Sequence, residues 1–229
     1  MPSPQEVLDR CADGTPYASL STDFLEFDRP AGDDPLLLVA TAAAATTGQA
    51  YATGVRPTVD QFESTLIESG RVSTLDDLAT LDPADEGLQD IFGAERSRIA
   101  LLEMASVIAD RPEDDDLEAL CSWAAEADVY RYETDPIGSI SGVGPSSFQY
   151  LRQLAGMDTA KADPDLAVLL DRVESDAQTG IIDTAEPLRS LASCEWLSLT
   201  TEYRMIEIDC LAWWLEADED ERAIVTELE

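Results

Sequence analysis

The stretch Ile140-Ser-Gly-Val-Gly-Pro-Ser-Ser-Phe-Gln-Tyr-Leu-Arg-Gln-Leu-Ala-Gly156 decides how this chain folds. Gly142 and Gly144, spaced by one residue, allow a bend with positive φ and let the main chain approach another molecule closely. Pro145 suits the first turn of a helix, and Gly156 suits its end. The segment therefore predicts a hairpin bend that leads into an amphipathic helix.

Helical patterns continue on both sides of this bend. Capping residues, apolar positions repeated at the helical period, and Gly or Pro stop signals mark most of them. Predicted helices cover residues 36–47, 58–69, 75–79, 96–109, 117–130, 164–173, 186–196 and 201–215. Only residues 23–27 alternate like a strand, and one strand cannot build a sheet. The sequence therefore predicts an all-α protein, with the apolar helix 36–47 at the centre of its core.

The chain is strongly acidic, with 48 Asp and Glu against 14 Lys and Arg and a formal net charge of −34. The carboxylates are spread from Glu6 to Glu229, which indicates a property of the whole surface instead of one binding patch. At molar salt the Debye length falls to about 3 Å, so the self-repulsion of such a surface is screened. We interpret the composition as adaptation to high salt.

Cysteine spacing and the absence of histidine exclude several kinds of site. The chain has four cysteines, Cys11, Cys121, Cys194 and Cys210, and none of them has Cys-x-x-Cys spacing. No histidine is present to complete a metal site or a Ser/His or Cys/His nucleophile. We expect the cysteines to be small buried side chains. No apolar run reaches membrane-spanning length, and the N-terminus lacks a secretory pattern. We therefore expect a cytoplasmic protein without a membrane partner.

The start of the helix after the bend predicts an anion site. Unpaired amides and the positive end of the helix dipole favour a bound anion, and a DNA phosphate is a natural occupant. Such main-chain contacts position a duplex without reading its sequence. They also lose less strength at high salt than contacts from charged side chains. The predicted DNA-binding residues are Gly142, Val143, Gly144, Ser146, Ser147, Arg152 and Lys161, which is the only lysine.

The chain here resembles the helix-hairpin-helix (HhH-GPD) superfamily of base-excision DNA glycosylases, which includes endonuclease III. The resemblance rests on Ile140-x-Gly-Val-Gly144, on the amphipathic helix after it, and on Lys161-Ala-Asp-Pro-Asp-Leu166. In that family an aspartate beyond the hairpin begins the next helix and carries catalysis. The resemblance implies that Asp163 is this catalytic carboxylate, which stabilises a cationic sugar or orients a water as the glycosidic bond breaks.

The same resemblance implies a two-lobed helical bundle with the helix-hairpin-helix motif at the cleft. Residues 34–156 would form a central lobe that ends in the hairpin, and residues 1–33 with 157–229 would form the second lobe. Ser146 stands where bifunctional members carry a nucleophilic lysine, which implies a monofunctional glycosylase that leaves an abasic site. The clustered cysteines of the iron–sulfur branch are missing. We therefore expect no iron–sulfur cluster and no other cofactor, although the hairpin leaves room for a monovalent cation.

Two other functions remain open from the sequence. The chain could be a DNA-binding module that kept the scaffold and lost the chemistry, or a helical protein-interaction scaffold whose acidic surface repels DNA. Gly142 and Gly144 are also compatible with a plain tight turn, and Asp163 before a proline with a helix N-cap. The aromatic residues Trp196, Tyr203, Trp213 and Trp214 could stack on a base, but helical spacing favours core packing for them.

Overall fold

The computed structural model describes residues 1–226, and no β-strand occurs among them. The all-α class predicted from the sequence is therefore confirmed. Two π-helical turns, Tyr51–Val55 and Glu63–Ile67, flank α4, and a 3-10 helix, Val129–Thr134, follows α8. Residues 227–229 of the second predicted lobe lie outside the described residues. The α-helices are α1 (Pro4–Ala12), α2 (Tyr17–Leu25), α3 (Pro35–Ala45), α4 (Arg56–Phe62), α5 (Leu75–Ala79), α6 (Glu86–Ile91), α7 (Glu95–Ala109), α8 (Asp116–Glu126), α9 (Pro145–Leu154), α10 (Pro164–Ala177), α11 (Pro187–Thr200), α12 (Met205–Glu216) and α13 (Glu219–Thr226).

The apolar helix α3 is buried along nearly its whole length, as the sequence predicts. Asp34 caps its first turn, since its carboxylate accepts hydrogen bonds from the amides of Leu36 at 2.8 Å and Leu37 at 3.4 Å. A helix that is apolar all round needs neighbours on several faces. α3 accordingly packs against α4, α7 and α9.

The N-terminal helices α1 and α2 pack against α12. α1 contacts α10 and α12, and α2 contacts α12 and α9. α11 lies against α10 and α12. Buried apolar side chains from these helices and from α3 to α9 form one continuous core. Three of the free cysteines are buried in it and Cys121 is half-buried. Within the described residues no helix is long and apolar enough to cross a membrane.

One helix boundary was predicted wrongly. The helix predicted at 58–69 begins earlier, at Tyr51, and the hydroxyl of Thr58 donates to the carbonyl of Gly54 at 2.8 Å instead of capping a first turn. A threonine inside a helix can bond back to the preceding turn in this way. Residues 23–27, which alternate like a strand, include the last turn of α2, where Phe24 is buried against Tyr150.

Helix α9 is fixed by packing directly behind the hairpin. Phe148 is fully buried, with its ring 5.4 Å from that of Trp123 in an edge-on arrangement. Gly144 is the N-cap of α9 and Pro145 occupies its first turn. Gly156 follows the helix with a φ of +79°. The predicted amphipathic helix is therefore confirmed, and its core contacts hold the hairpin in place.

Candidate functional site

The two hairpin glycines have different backbone conformations. Gly142 has a φ of +96°, which a residue with a side chain rarely adopts. Gly144 has a φ of −107° and a ψ of −178°, which is ordinary extended backbone, and a Cβ built on it would meet nothing within 4 Å. Glycine is thus required for conformation at position 142, whereas at position 144 it leaves open space in front of the backbone.

Residues before the bend form a single helical turn, not a full helix. The amide of Ser139 donates to the carbonyl of Asp135 at 2.9 Å, and the amide of Val143 donates to the carbonyl of Ile140 at 3.0 Å. The side chain of Val143 is buried. Val143, which the sequence placed among the DNA-binding residues, therefore anchors the turn through both its amide and its side chain.

The start of α9 retains unbonded amides, as the sequence predicts. Gly144 offers no side-chain cap, and the amides of Gly144, Ser146 and Ser147 find no acceptor within residues 1–226. Both serines are half-buried and line an open cleft of about 480 Å³. The helix dipole adds partial positive charge at this point.

Asp163 lines the same cleft as the two serines. One of its carboxylate oxygens caps α10 by accepting from the amide of Leu166 at 3.0 Å, so the N-cap interpretation is confirmed. The other oxygen lies 3.3 Å from Nζ of Lys161. The cleft thus brings together four of the predicted residues, Ser146, Ser147, Lys161 and Asp163, which come from the beginning of α9 and the loop before α10.

Lys161 is held between carboxylates. Its Nζ lies 3.9 Å from Asp209 as well as 3.3 Å from Asp163, and 5.4 Å from the ring centre of Tyr150. Burial opposes the charged amine, but the two carboxylates outweigh burial and raise the pKa of Lys161 above its ordinary value. Lys161 is therefore a firmly charged ammonium group.

Arg152 turns away from the cleft. Its guanidinium donates to the carbonyl of Ala124 at 2.9 Å and to the side chain of Gln149 at 2.8 Å. Burial lowers the pKa of Arg152, against the opposing effect of nearby Asp128 and Asp135. The arginine predicted to contact phosphate is thus used inside the fold.

Sequence reasoning missed Asp209, whose carboxylate contacts the loop that carries Lys161. Asp209 is buried in α12, where its carboxylate accepts from Gln153 Nε2 at 2.9 Å and from the amide of Lys161 at 2.8 Å. Burial raises the pKa of Asp209, and this effect outweighs the opposing effect of the Lys161 ammonium group, so the pKa is about 6. A signal was present in the sequence, since Asp209 lies between Ile208 and the apolar run 210–214. A charge in such a run usually has a buried partner.

Acidic side chains make up much of the remaining cleft wall. Glu221 of α13 reaches across to accept from the amide of Ala52 at 2.8 Å. Burial, with Asp163 nearby, raises the pKa of Asp165. Among the residues lining the cleft, Lys161 is the only basic one. The acidic members are Asp163, Asp165, Glu216, Asp218 and Glu221, and the aromatic members are Tyr51, Tyr150 and Trp213.

Comparisons of the chain with protein-family models, with curated proteins and with solved structures find no match. The function of the protein is therefore inferred from the geometry of this cleft and from the chemistry of the residues that line it.

Proposed function

We propose that this protein binds duplex DNA and acts as a monofunctional DNA glycosylase of the helix-hairpin-helix kind. One observation carries the proposal: Ser146 and Ser147, whose amides are unbonded at the start of α9, line the same cleft as Asp163. The amides of Gly144, Ser146 and Ser147 would hold a phosphate, and a base extruded from the duplex would enter the cleft. Four aromatic residues were considered for stacking on a base. Of these, Trp213 is the only one among the described residues that lines this cleft.

The proposed architecture has two lobes. Helices α3 to α9 would form the lobe that ends in the hairpin, and α1, α2 and α10 to α13 would form the other. Contacts of α1 and α2 with α12 support this division. The activity would operate in the cytoplasm of a cell with high internal salt, and a monovalent cation at the hairpin is part of the same hypothesis.

The reaction would be hydrolysis of the bond between the sugar C1′ and the base. The bond's electron pair leaves with the base, and water supplies a hydroxyl to C1′ and a proton to the base. Asp163 lines the cleft, and one of its oxygens contacts Lys161. That carboxylate would stabilise positive charge on the sugar in the transition state. The residues of this chain would need no resident metal for these steps.

Excision is tested on duplexes that contain uracil, hypoxanthine, 8-oxoguanine or an alkylated base, in molar KCl. We expect abasic sites from at least one lesion with the wild-type protein and none with Asp163→Asn. Unmodified duplex serves as the substrate control. If no lesion yields abasic sites, or if Asp163→Asn works equally well, the enzymatic part of the proposal is wrong.

DNA binding is tested separately with Gly144→Leu. Because Gly144 has ordinary φ and open space around it, the substitution should fold normally and place a side chain between the amides and a phosphate. Gly93→Leu is a matched control, since Gly93 also has open space around it and lies in the loop between α6 and α7, not at the start of α9. We expect Gly144→Leu alone to weaken duplex binding at least tenfold, a loss of about 1.4 kcal/mol. An unchanged dissociation constant would contradict DNA binding through the hairpin.

A non-catalytic DNA-binding module is the second candidate. The observation that favours it is the full engagement of Asp163, whose two oxygens contact Leu166 and Lys161. Duplex binding that depends on Gly144, without any abasic product, would support this candidate. The acidic cleft wall favours the scaffold alternative, which the absence of duplex binding by the wild-type protein would support.

A further inference from the structure

A second cavity, of about 70 Å³, adjoins the cleft and shares Tyr51, Tyr150, Lys161 and Trp213 with it. One water needs about 10–15 Å³ by the same measure, so this space holds roughly five waters. Its remaining walls include Phe24 and Arg29. The cavity therefore offers flat aromatic faces and one guanidinium group beside the proposed reaction site.

Arg29 has no acidic partner in this cavity. The guanidinium carbon lies 3.9 Å from the ring centre of Phe24 and 5.3 Å from that of Tyr51. No carboxylate within residues 1–226 lies within 4.0 Å of it, although Asp209 lines the same cavity. The groups that act on its charge are Tyr150, Tyr51 and Cys210. In a chain with 48 acidic residues, this isolation leaves the positive charge free for a ligand.

Another arginine within the fold is satisfied differently. Arg98 is buried and donates to the carbonyls of Pro83, Phe92 and Gly93. Arg29 has a side-chain hydrogen bond with Tyr51, which leaves most of its five N–H donors for other acceptors. Because all guanidinium N–H groups lie in the plane of the group, stacking on Phe24 leaves them unblocked. The N–H edge of Arg29 is thus available to acceptors placed in the cavity.

We propose that Arg29 recognises the carbonyl edge of a neutral base held between the aromatic walls of this cavity. A guanidinium fork fits the adjacent carbonyl and ring nitrogen acceptors of a 6-oxopurine, whereas adenine presents an amino donor at that edge. A fixed positive charge also repels a cationic N-alkylated base. The inference rests on the proposed function and narrows its substrate class to deaminated purines that keep a carbonyl beside an unprotonated ring nitrogen.

The probes are the free bases hypoxanthine and adenine, which differ at one exocyclic group. Dissociation constants are measured by ligand-observed NMR on the full chain in molar KCl. We expect hypoxanthine to bind about tenfold more tightly than adenine or better. Arg29→Met, which keeps an apolar stem over Phe24, should abolish this preference. Arg29→Lys, which keeps the charge without the fork, should reduce it. Arg172→Met is the control, because Arg172 is exposed on α10.

Melting temperatures of the variants establish that each is folded. If Arg29→Met does not fold, Arg29→Lys still tests the inference. Equal binding of the two bases by the wild-type protein, or a preference that survives in both Arg29 variants, would overturn the inference. If the protein binds duplex DNA but binds the two free bases equally, the proposed function remains supported and this inference is wrong. Selective hypoxanthine binding without duplex binding or excision would support Arg29 recognition while contradicting the DNA function.

Discussion

Lys161 and its neighbours determine whether the reaction can pass through a covalent intermediate. A nucleophilic lysine must lose its proton, and the carboxylates of Asp163 and Asp209 raise the pKa of Lys161 instead. We expect borohydride trapping on an abasic duplex to yield no covalent adduct. A bifunctional glycosylase provides the positive control. An adduct formed by the wild-type protein and lost in Lys161→Ala would show that the amine is a nucleophile after all.

Asp209 should leave a signature in the pH dependence of stability. Burial raises its pKa to about 6 in the folded state, from about 4 in an unfolded chain. Between these values the folded protein retains a proton that the unfolded chain has lost, so ionisation of Asp209 lowers the free energy of unfolding as pH rises through this window.

The measurement is urea unfolding in molar KCl at several pH values, for wild type and Asp209→Asn. Other carboxylates titrate in both proteins, so the difference between the two curves isolates Asp209. We expect the wild-type free energy of unfolding to fall relative to the variant from about pH 4 to about pH 6 and then to level off. Parallel curves would mean that the pKa of Asp209 is unchanged by folding.

At the scale of elements, Asp163 stabilises the start of α10, and this structural role must be distinguished from its proposed catalytic role. Its carboxylate caps α10 through the amide of Leu166. Asparagine is an equally good N-cap and alanine is not, so Asp163→Ala should be about 1 kcal/mol less stable than Asp163→Asn. Urea unfolding in molar KCl measures the difference. Loss of excision in both variants, with normal stability in Asp163→Asn, assigns the loss to the missing charge. Equal stabilities would show that the cap contributes little.

Local signals predicted the elements around the site well. Pro145 and Gly156 bound α9, and the Asp163-Pro164 pair begins α10, as expected from capping chemistry. What local patterns could not give was direction. Arg152 lies on the predicted helix but turns inward to the carbonyl of Ala124.

Long-range contacts explain the remaining gaps in prediction. Asp209 belongs to the site only because α12 packs beside the loop that carries Lys161. Arg29 lies far from the hairpin in sequence and reaches the cavity because α2 packs against α9. The helix at Tyr51 begins early where Glu221 of α13 bonds to Ala52. The partners lie 48 residues apart for Asp209 and Lys161 and 169 residues apart for Glu221 and Ala52, and a local pattern does not contain such pairs.

At the scale of the whole molecule, the net charge of −34 opposes the approach of any polyanion. DNA-binding proteins that use Lys and Arg lose affinity as salt rises, because each contact depends on counterion release. Here the proposed phosphate contacts are uncharged amides at Gly144, Ser146 and Ser147, surrounded by the acidic cleft wall. Salt should therefore weaken the repulsion more than the attraction.

We expect duplex affinity to increase as KCl rises from about 0.1 M to about 1 M, where the Debye length shortens from about 10 Å to about 3 Å. Fluorescence anisotropy with a labelled duplex measures the dissociation constant, and circular dichroism at each salt concentration establishes that the helical fold is unchanged. The increase should vanish in Gly144→Leu and persist in Gly93→Leu, because only the former obstructs the amides. Affinity that falls steadily with salt in the wild-type protein would imply contacts from cationic side chains and would contradict binding through the main chain.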